Sequence, residues 1–182
     1  MKRSKSIKLV VMATTSVTLA GCSQEPDLDG RVYKSEAECV ADSYVSDELC
    51  AEVIQTGEQV HAASGPRYNS MSLCTEQHGA NACTTGASDG TSFFTPFAVG
   101  YFVANAANGG LMRNSIRPIY PERGSRRYYT SGGYYVGSYD RGWRTYNDAV
   151  KAPPKPAKVQ TRTSIASRGG FGSRSSSGSR GG

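Results

Sequence analysis

Five cysteines and two histidines hold most of the chemistry this 182-residue chain could perform. Cys22, the first residue after the amino-terminal leader, is treated below, which leaves Cys39, Cys50, Cys74 and Cys83. An even number of cysteines in an exported chain points to two disulfides, with three connectivities open. "YKSEAEC" (Tyr33–Cys39) and "YNSMSLC" (Tyr68–Cys74) share Tyr-x-Ser-x-x-x-Cys, 35 residues apart, and a second cysteine follows each after ten or eight residues. Duplicated units tend to close on themselves, which favours Cys39–Cys50 and Cys74–Cys83. Each short loop would then contribute roughly 3 kcal/mol by constraining the unfolded chain. Zinc is the competing use, through Cys74, His78 and Cys83. That spacing fits no standard zinc site, and an oxidising compartment disfavours free thiolates, so no metal ligand is assigned. His61 reads as a packed helix residue rather than a base. With no nucleophile elbow, phosphate loop, HExxH or paired carboxylates, no catalytic residue and no cofactor are assigned, and the chain reads as non-enzymatic.

The leader decides where this chemistry takes place. "MKRSKSIKLVVMATTSVTLAGC" has a basic start (Lys2, Arg3, Lys5, Lys8), an uncharged and largely apolar stretch over Leu9–Ala20, and small residues before a cysteine. This is the layout of a secretory signal peptide, too short for a comfortable membrane span. Leu19-Ala20-Gly21-Cys22 resembles a bacterial lipobox, which implies cleavage before Cys22 and acylation of that residue. Two or three acyl chains on one residue hold a protein where a single chain does so only reversibly. Ser23 stands where an aspartate would imply retention at the inner membrane, so the motif implies the outer membrane, facing the periplasm. The closing "SRGGFGSRSSSGSRGG" would suggest RNA in a cytosolic protein. Export removes that partner, and no nucleic acid is expected.

Several elements must position the cysteines. Ser35 is a candidate N-cap for a short helix carrying Cys39. Ser46 is another, for "DELCAEVIQTGEQVHAA", with Asp47 and Glu48 in the first turn, where the helix dipole favours them. Leu49, Cys50, Val53, Ile54, Val60 and His61 share one face of that helix. Ser70 with "SLCTEQHG" repeats the pattern in shorter form. The uncharged "GTSFFTPFAVGYFVANAANGGLM" predicts a helix over 96–107, capped by Thr95 with Pro96 at its first position and ended by Asn108-Gly109-Gly110. At about 12 residues it would span about 18 Å, well short of a bilayer core. It could serve as a packed core helix or as a membrane-surface or self-association face. "RYYTSGGYYVG" predicts a β-hairpin between tyrosine-rich strands. There Arg126, Arg127, Tyr128, Tyr129, Tyr134, Tyr135 and Trp143 form a candidate binding set, suited to stacking and cation–π contacts with sugar rings or phosphorylated lipid. The alternative is a mini-sheet packed on the apolar helix.

Composition limits the core. Leu, Ile, Val and Phe make up 23 of the 161 residues after the leader, about 14%, where compact folding becomes doubtful. Charge is divided: residues 22–110 carry 3 basic and 12 acidic residues, and residues 111–182 carry 14 basic and 3 acidic. The basic half could meet lipopolysaccharide phosphates, peptidoglycan carboxylates or an envelope protein, or only solvent. The expected fold is a small, mainly α region stapled by disulfides, with an apolar helix, a short Tyr-rich β-hairpin and a large disordered fraction. Its expected divisions are a signal peptide (1–21), a tether (22–32), duplicated helical units (33–88), the apolar helix segment (91–112), the Tyr/Arg/Gly-rich hairpin region (113–150) and a basic disordered tail (151–182).

The lipobox, the paired Tyr…Cys units, Ser92-Phe93-Phe94-x-Pro96-x3-Gly100-Tyr101, the Tyr/Gly region and Arg168-Gly169-Gly170-Phe171-Gly172 occur in one order. In that order the chain resembles the uncharacterised YgiB-like lipoproteins of Gram-negative bacteria. The resemblance implies an envelope lipoprotein anchored in the membrane and supplies no catalytic residue. It leaves the expected function as binding of anionic envelope components or a partner protein, with self-association through the helix 96–107 as the alternative.

Overall fold

The computed structural model describes residues 25–104, 115–139, 142–151 and 154–166. In chain order the elements are β1 (Leu28–Tyr33), α1 (Glu36–Val40), α2 (Asp47–Ser64), β2 (Arg67–Tyr68), α3 (Met71–His78), β3 (Cys83–Ser88), β4 (Thr91–Pro96), β5 (Gly100–Ala104), β6 (Ile116–Pro121), β7 (Tyr128–Thr130), β8 (Tyr135–Tyr139), β9 (Gly142–Thr145), α4 (Asp148–Lys151), β10 (Val159–Gln160) and α5 (Arg162–Ala166). β1, β5, β6, β7, β8 and β9 form a closed barrel, and β10, β2, β4 and β3 form a separate four-stranded sheet in that order. The protein is therefore mostly β, and the mainly α expectation is overturned.

Registry shows how so few aliphatic residues fill the barrel. Val32 faces Phe102, Gly30 faces both Ala104 and Trp143, and Tyr128 faces Val136 across neighbouring strands. Leu28, Phe102, Ala104, Ile119 and Val136 make the interior cluster, with Tyr128 and Trp143 packed against it. Aromatic rings supply volume that aliphatic chains would otherwise provide. Gly30 fits because any Cβ there would run into the Phe102 ring. Outside the barrel, Tyr33, Val103 and Ile116 pack with Cys39, Val45, Cys50 and Val53 beneath α1 and α2. Gly57 lets α2 approach so closely that a Cβ would meet the Tyr101 ring.

The predicted apolar helix 96–107 does not form. Residues 91–96 and 100–104 are strands, and 105–114 lie outside the described residues. The reason is burial on two faces: Phe102 and Ala104 point into the barrel while Tyr101 and Val103 meet the α2 layer. A strand covered on both sides reads as a continuous apolar run, which periodicity does not separate from a buried helix. Self-association through such a helix falls with it. The local sequence did hold the opposite signal, since Asp89 and Gly90 both take positive φ (51° and 74°) in the β3–β4 turn. Asp-Gly is a strong two-residue hairpin signature.

Two boundaries also move. The expected tether 22–32 gives way at Leu28, where β1 enters the barrel. The expected disordered tail contains β10, which pairs in parallel with β2, and α5, whose Ile165 is buried beside Tyr68, Leu73 and Cys74. The hairpin of β7 and β8 is present, with Tyr129 opposite Tyr135, but as part of the barrel wall rather than as a mini-sheet on a helix. Both disulfides take the favoured pairing, with Cα–Cα distances of 5.6 Å for Cys39–Cys50 and 6.3 Å for Cys74–Cys83. Ser35 and Ser70 cap α1 and α3 by accepting from Glu38 N and Leu73 N. Ser46 stands at the N-cap of α2 without a side-chain capping bond.

Candidate functional site: a cationic cleft at one end of the barrel

Arg117 interrupts the otherwise apolar run of β6. Its partner across the sheet is Phe102, so the side chain shares the barrel's inner face. The guanidinium is buried, donating from Nε to the Ala149 carbonyl at 2.7 Å and from Nη1 to the Ile116 carbonyl at 2.9 Å. Burial pulls it down to about 10, which still leaves it protonated near neutral pH. Bringing a charge into such surroundings costs several kcal/mol unless hydrogen bonds and neighbours offset it. Here that cost is borne at the wall of a cleft of about 610 Å³.

Three other elements complete the cleft. Thr130, opposite Ile119 across β6 and β7, continues the inner row toward the opening. The β7–β8 turn, with Gly133 at φ 82°, brings Ser131 and Tyr134 to the rim. The segment before β10 supplies Lys155 and Lys158. Among the described residues Asp148 of α4 is the one acidic lining residue, and Lys151 donates to it at 2.7 Å. The result is a cavity lined by Arg117, Lys155 and Lys158 together with the hydroxyl residues Ser64, Thr130, Ser131 and Tyr134, of a size suited to a small ligand.

The two histidines lie elsewhere, in a seam joining α2, α3 and the outer face of β6. His78 Nδ1 is 2.8 Å from the Pro121 carbonyl, which can only accept, so that nitrogen carries the proton. Nε2 then accepts from the Tyr68 hydroxyl at 2.7 Å. Burial pulls His78 down to about 4, partly opposed by the Pro121 bond. His61 Nδ1 lies 2.9 Å from the Tyr120 hydroxyl, and burial lowers its pKa too, while that of fully buried Tyr120 is raised. These rings are held as packing and hydrogen-bonding groups. Cys74 and Cys83 are bonded to each other, so the Cys74, His78 and Cys83 trio is unavailable to a metal.

The tyrosine and arginine set read from the sequence is divided three ways. Tyr128 and Trp143 stack edge to face at 5.6 Å in the barrel interior. Tyr129 and Tyr135 meet at 5.9 Å on the outside, and the Arg127 guanidinium, on the exposed β6–β7 loop with Arg126, donates to Tyr129. Only Tyr134 reaches the cleft. Alternation on β7 and β8 sends successive rings to opposite faces, so a run of tyrosines cannot form one gripping surface. Sequence reading missed Arg117 and Thr130, and took in Lys155 and Lys158 only as part of the basic tail 151–182 expected to meet anionic envelope components. The available signal was an arginine inside the six-residue run "IRPIYP", where a charge among buried positions needs a reason.

Cys22 and the final sixteen residues lie outside the described residues. Among the described residues no helix is long and apolar enough to cross a membrane. Residues 27–182 match the family described as protein of unknown function DUF1190, and the chain belongs to that family. It is also similar to the UPF0441 protein SG0265 of Sodalis glossinidius, with 25% identity over 177 residues, 90% of this chain and 79% of that protein. DUF1190 and UPF0441 describe the YgiB family, so the resemblance drawn from motif order holds. No solved structure matches.

Proposed function

We propose that the protein is a non-enzymatic, lipid-anchored protein of the outer membrane that holds an anionic envelope component in the barrel-end cleft. The observation that carries this reading is the convergence of Arg117 with Lys155 and Lys158 on one cavity, against, among the described residues, a single carboxylate already engaged by Lys151. Binding suits the site better than turnover does. Ser64 donates to the Val60 carbonyl, and neither histidine lines the cleft beside Ser64, Thr130 or Ser131. The lipobox resemblance at Cys22 supplies the anchor, and export excludes nucleic acid as the partner.

Charge reversal tests the cleft more cleanly than truncation, because removing residues 151–182 would also uncover Tyr68 and Leu73 under Ile165. Lys155→Glu with Lys158→Glu should weaken retention of lipopolysaccharide or peptidoglycan fragments by the full chain, most strongly at low salt. Unchanged retention discards the cleft. Globomycin should cause the precursor to accumulate, and its failure to do so discards the anchor.

A further inference from the structure

The amino-terminal end of the barrel is tied to the cleft by a specific clamp. Asp27 accepts from Asn147 twice, from the backbone N–H at 2.9 Å and from Nδ2 at 2.6 Å. The next two residues, Asp148 and Ala149, line the cleft, and the Ala149 carbonyl holds the Arg117 guanidinium. Five residue steps separate Cys22 from Asp27, at most about 18 Å of extended chain. An acylated Cys22 would therefore keep the clamp within about 18 Å of the membrane, beside a head-group layer that is itself several ångströms deep. The cleft cannot be carried far from that surface.

We propose that the cleft takes the phosphate of an anionic lipid head group from the same membrane that holds Cys22. This rests on the anchored, anion-binding reading above and narrows it to one source. The Arg117 guanidinium, held by the Ala149 and Ile116 carbonyls, adds positive potential to the cleft wall, and Lys155 and Lys158 supply the point charges that meet a phosphate. Lys155 and Lys158 are exposed and enter no ion pair among the described residues. Thr130 and Ser131 offer hydroxyls to the polar part of a head group. A carboxylate-bearing peptide would satisfy the same cations, but nothing in the five-residue tether brings the cell wall to the site.

The test uses the full acylated chain in vesicles and reads amine acylation by mass spectrometry. Phosphatidylglycerol mixed with phosphatidylcholine should slow labelling of Lys155 and Lys158 about fivefold relative to phosphatidylcholine alone. Exposed Lys34, beyond the far end of β1, serves as the internal reference. Ser131→Trp, which fills the cleft from its rim, should abolish the protection. So should a Gly/Ser spacer of about twenty residues inserted after Gln24, at least in part. Equal labelling on both vesicles, or protection that survives the filled cleft, overturns the proposal. Protection by inorganic phosphate on phosphatidylcholine vesicles, matching that from phosphatidylglycerol, moves the source to soluble phosphate and also overturns it. If the lipid gives none but a carboxylate-bearing peptide or lipopolysaccharide fragment protects both lysines, the head-group source falls and the anion-binding cleft stands. If no anion protects them, both readings fall.

Discussion

The two Tyr-x-Ser-x-x-x-Cys units begin alike and end differently. In each, the tyrosine closes a strand, the serine caps a helix and the cysteine enters a disulfide. The first unit then closes helix on helix, Cys39 to Cys50, and its 18-residue α2 lies across the barrel with Val53 fully buried. The second closes an eight-residue helix on a strand, Cys74 to Cys83. Its core is completed by Ile165, from an arm some ninety residues downstream. Tyr33 sends its hydroxyl to Asp42 near the surface, whereas Tyr68 sends its hydroxyl to buried His78. Local sequence starts both units, and what each one packs against decides how it is held. The first should be robust. The second should depend on its staple, on a neutral histidine and on the arm.

Removing the staples should have the largest effect. Each disulfide closes a loop worth about 3 kcal/mol, so replacing all four cysteines by serine should remove about 6 kcal/mol, comparable with the whole stability of a small domain. Replacing one pair at a time sharpens the contrast. Cys74→Ser with Cys83→Ser should expose the amides of α3 to exchange well before global unfolding. Cys39→Ser with Cys50→Ser should lower global stability while α2 stays protected by the barrel. Equal local exchange in the two double variants would break the comparison, and amide hydrogen exchange with mass analysis reads it directly.

Acid should find the second unit next. His78 is held neutral in the fold at about 4, below its ordinary 6.5. The unfolded chain therefore binds the proton first, and stability is fully present above pH 6.5, is lost as pH falls toward 4, and is flat below that for this group. At 1.36 kcal/mol per unit the loss approaches about 3 kcal/mol. His78→Gln should flatten urea midpoints over this window. His61 shifts in the same direction through burial, so His61→Gln removes a separate share. A midpoint that does not change between pH 6.5 and 4 in the parent chain would show that burial does not hold His78 neutral.

Legibility follows the same division between local and distant causes. Ser35, Ser70, the disulfide pairing and the β7–β8 hairpin were readable because cap, spacing and turn act within about a dozen residues. Barrel closure was not, since it rests on pairs such as Leu28 with Thr145, in the first and last strands of the barrel, which no local pattern joins. β5 misled for a physical reason: two covered faces erase the alternation that marks a strand. The cleft was invisible because Arg117, Thr130 and Lys158 meet only after the barrel closes and the arm docks. The arm itself looked unfoldable by composition, yet one buried isoleucine and a short parallel pairing hold it.

How the arm is held gives the smallest and most discriminating prediction. Arg162 makes two 2.9 Å bonds to Glu76 of α3, a bidentate pair that looks like a latch. Its side chains are 70% and 37% exposed, however, so water and salt screen the attraction, and immobilising two flexible side chains offsets part of it. Ile165 is 8% exposed and packs on Tyr68, Leu73 and Cys74. Ile165→Ala should therefore cost about 2 kcal/mol, the low end for a buried isoleucine because the arm can relax, and should speed exchange in β10 and α3. Arg162→Ala should leave the thermal midpoint unchanged at physiological salt and alter only the salt dependence of arm exchange. If the two variants lose equal stability, charge rather than burial docks the arm. The second unit would then be fastened by its surface, and the contrast with the barrel-backed first unit would be one of solvent exposure rather than of packing.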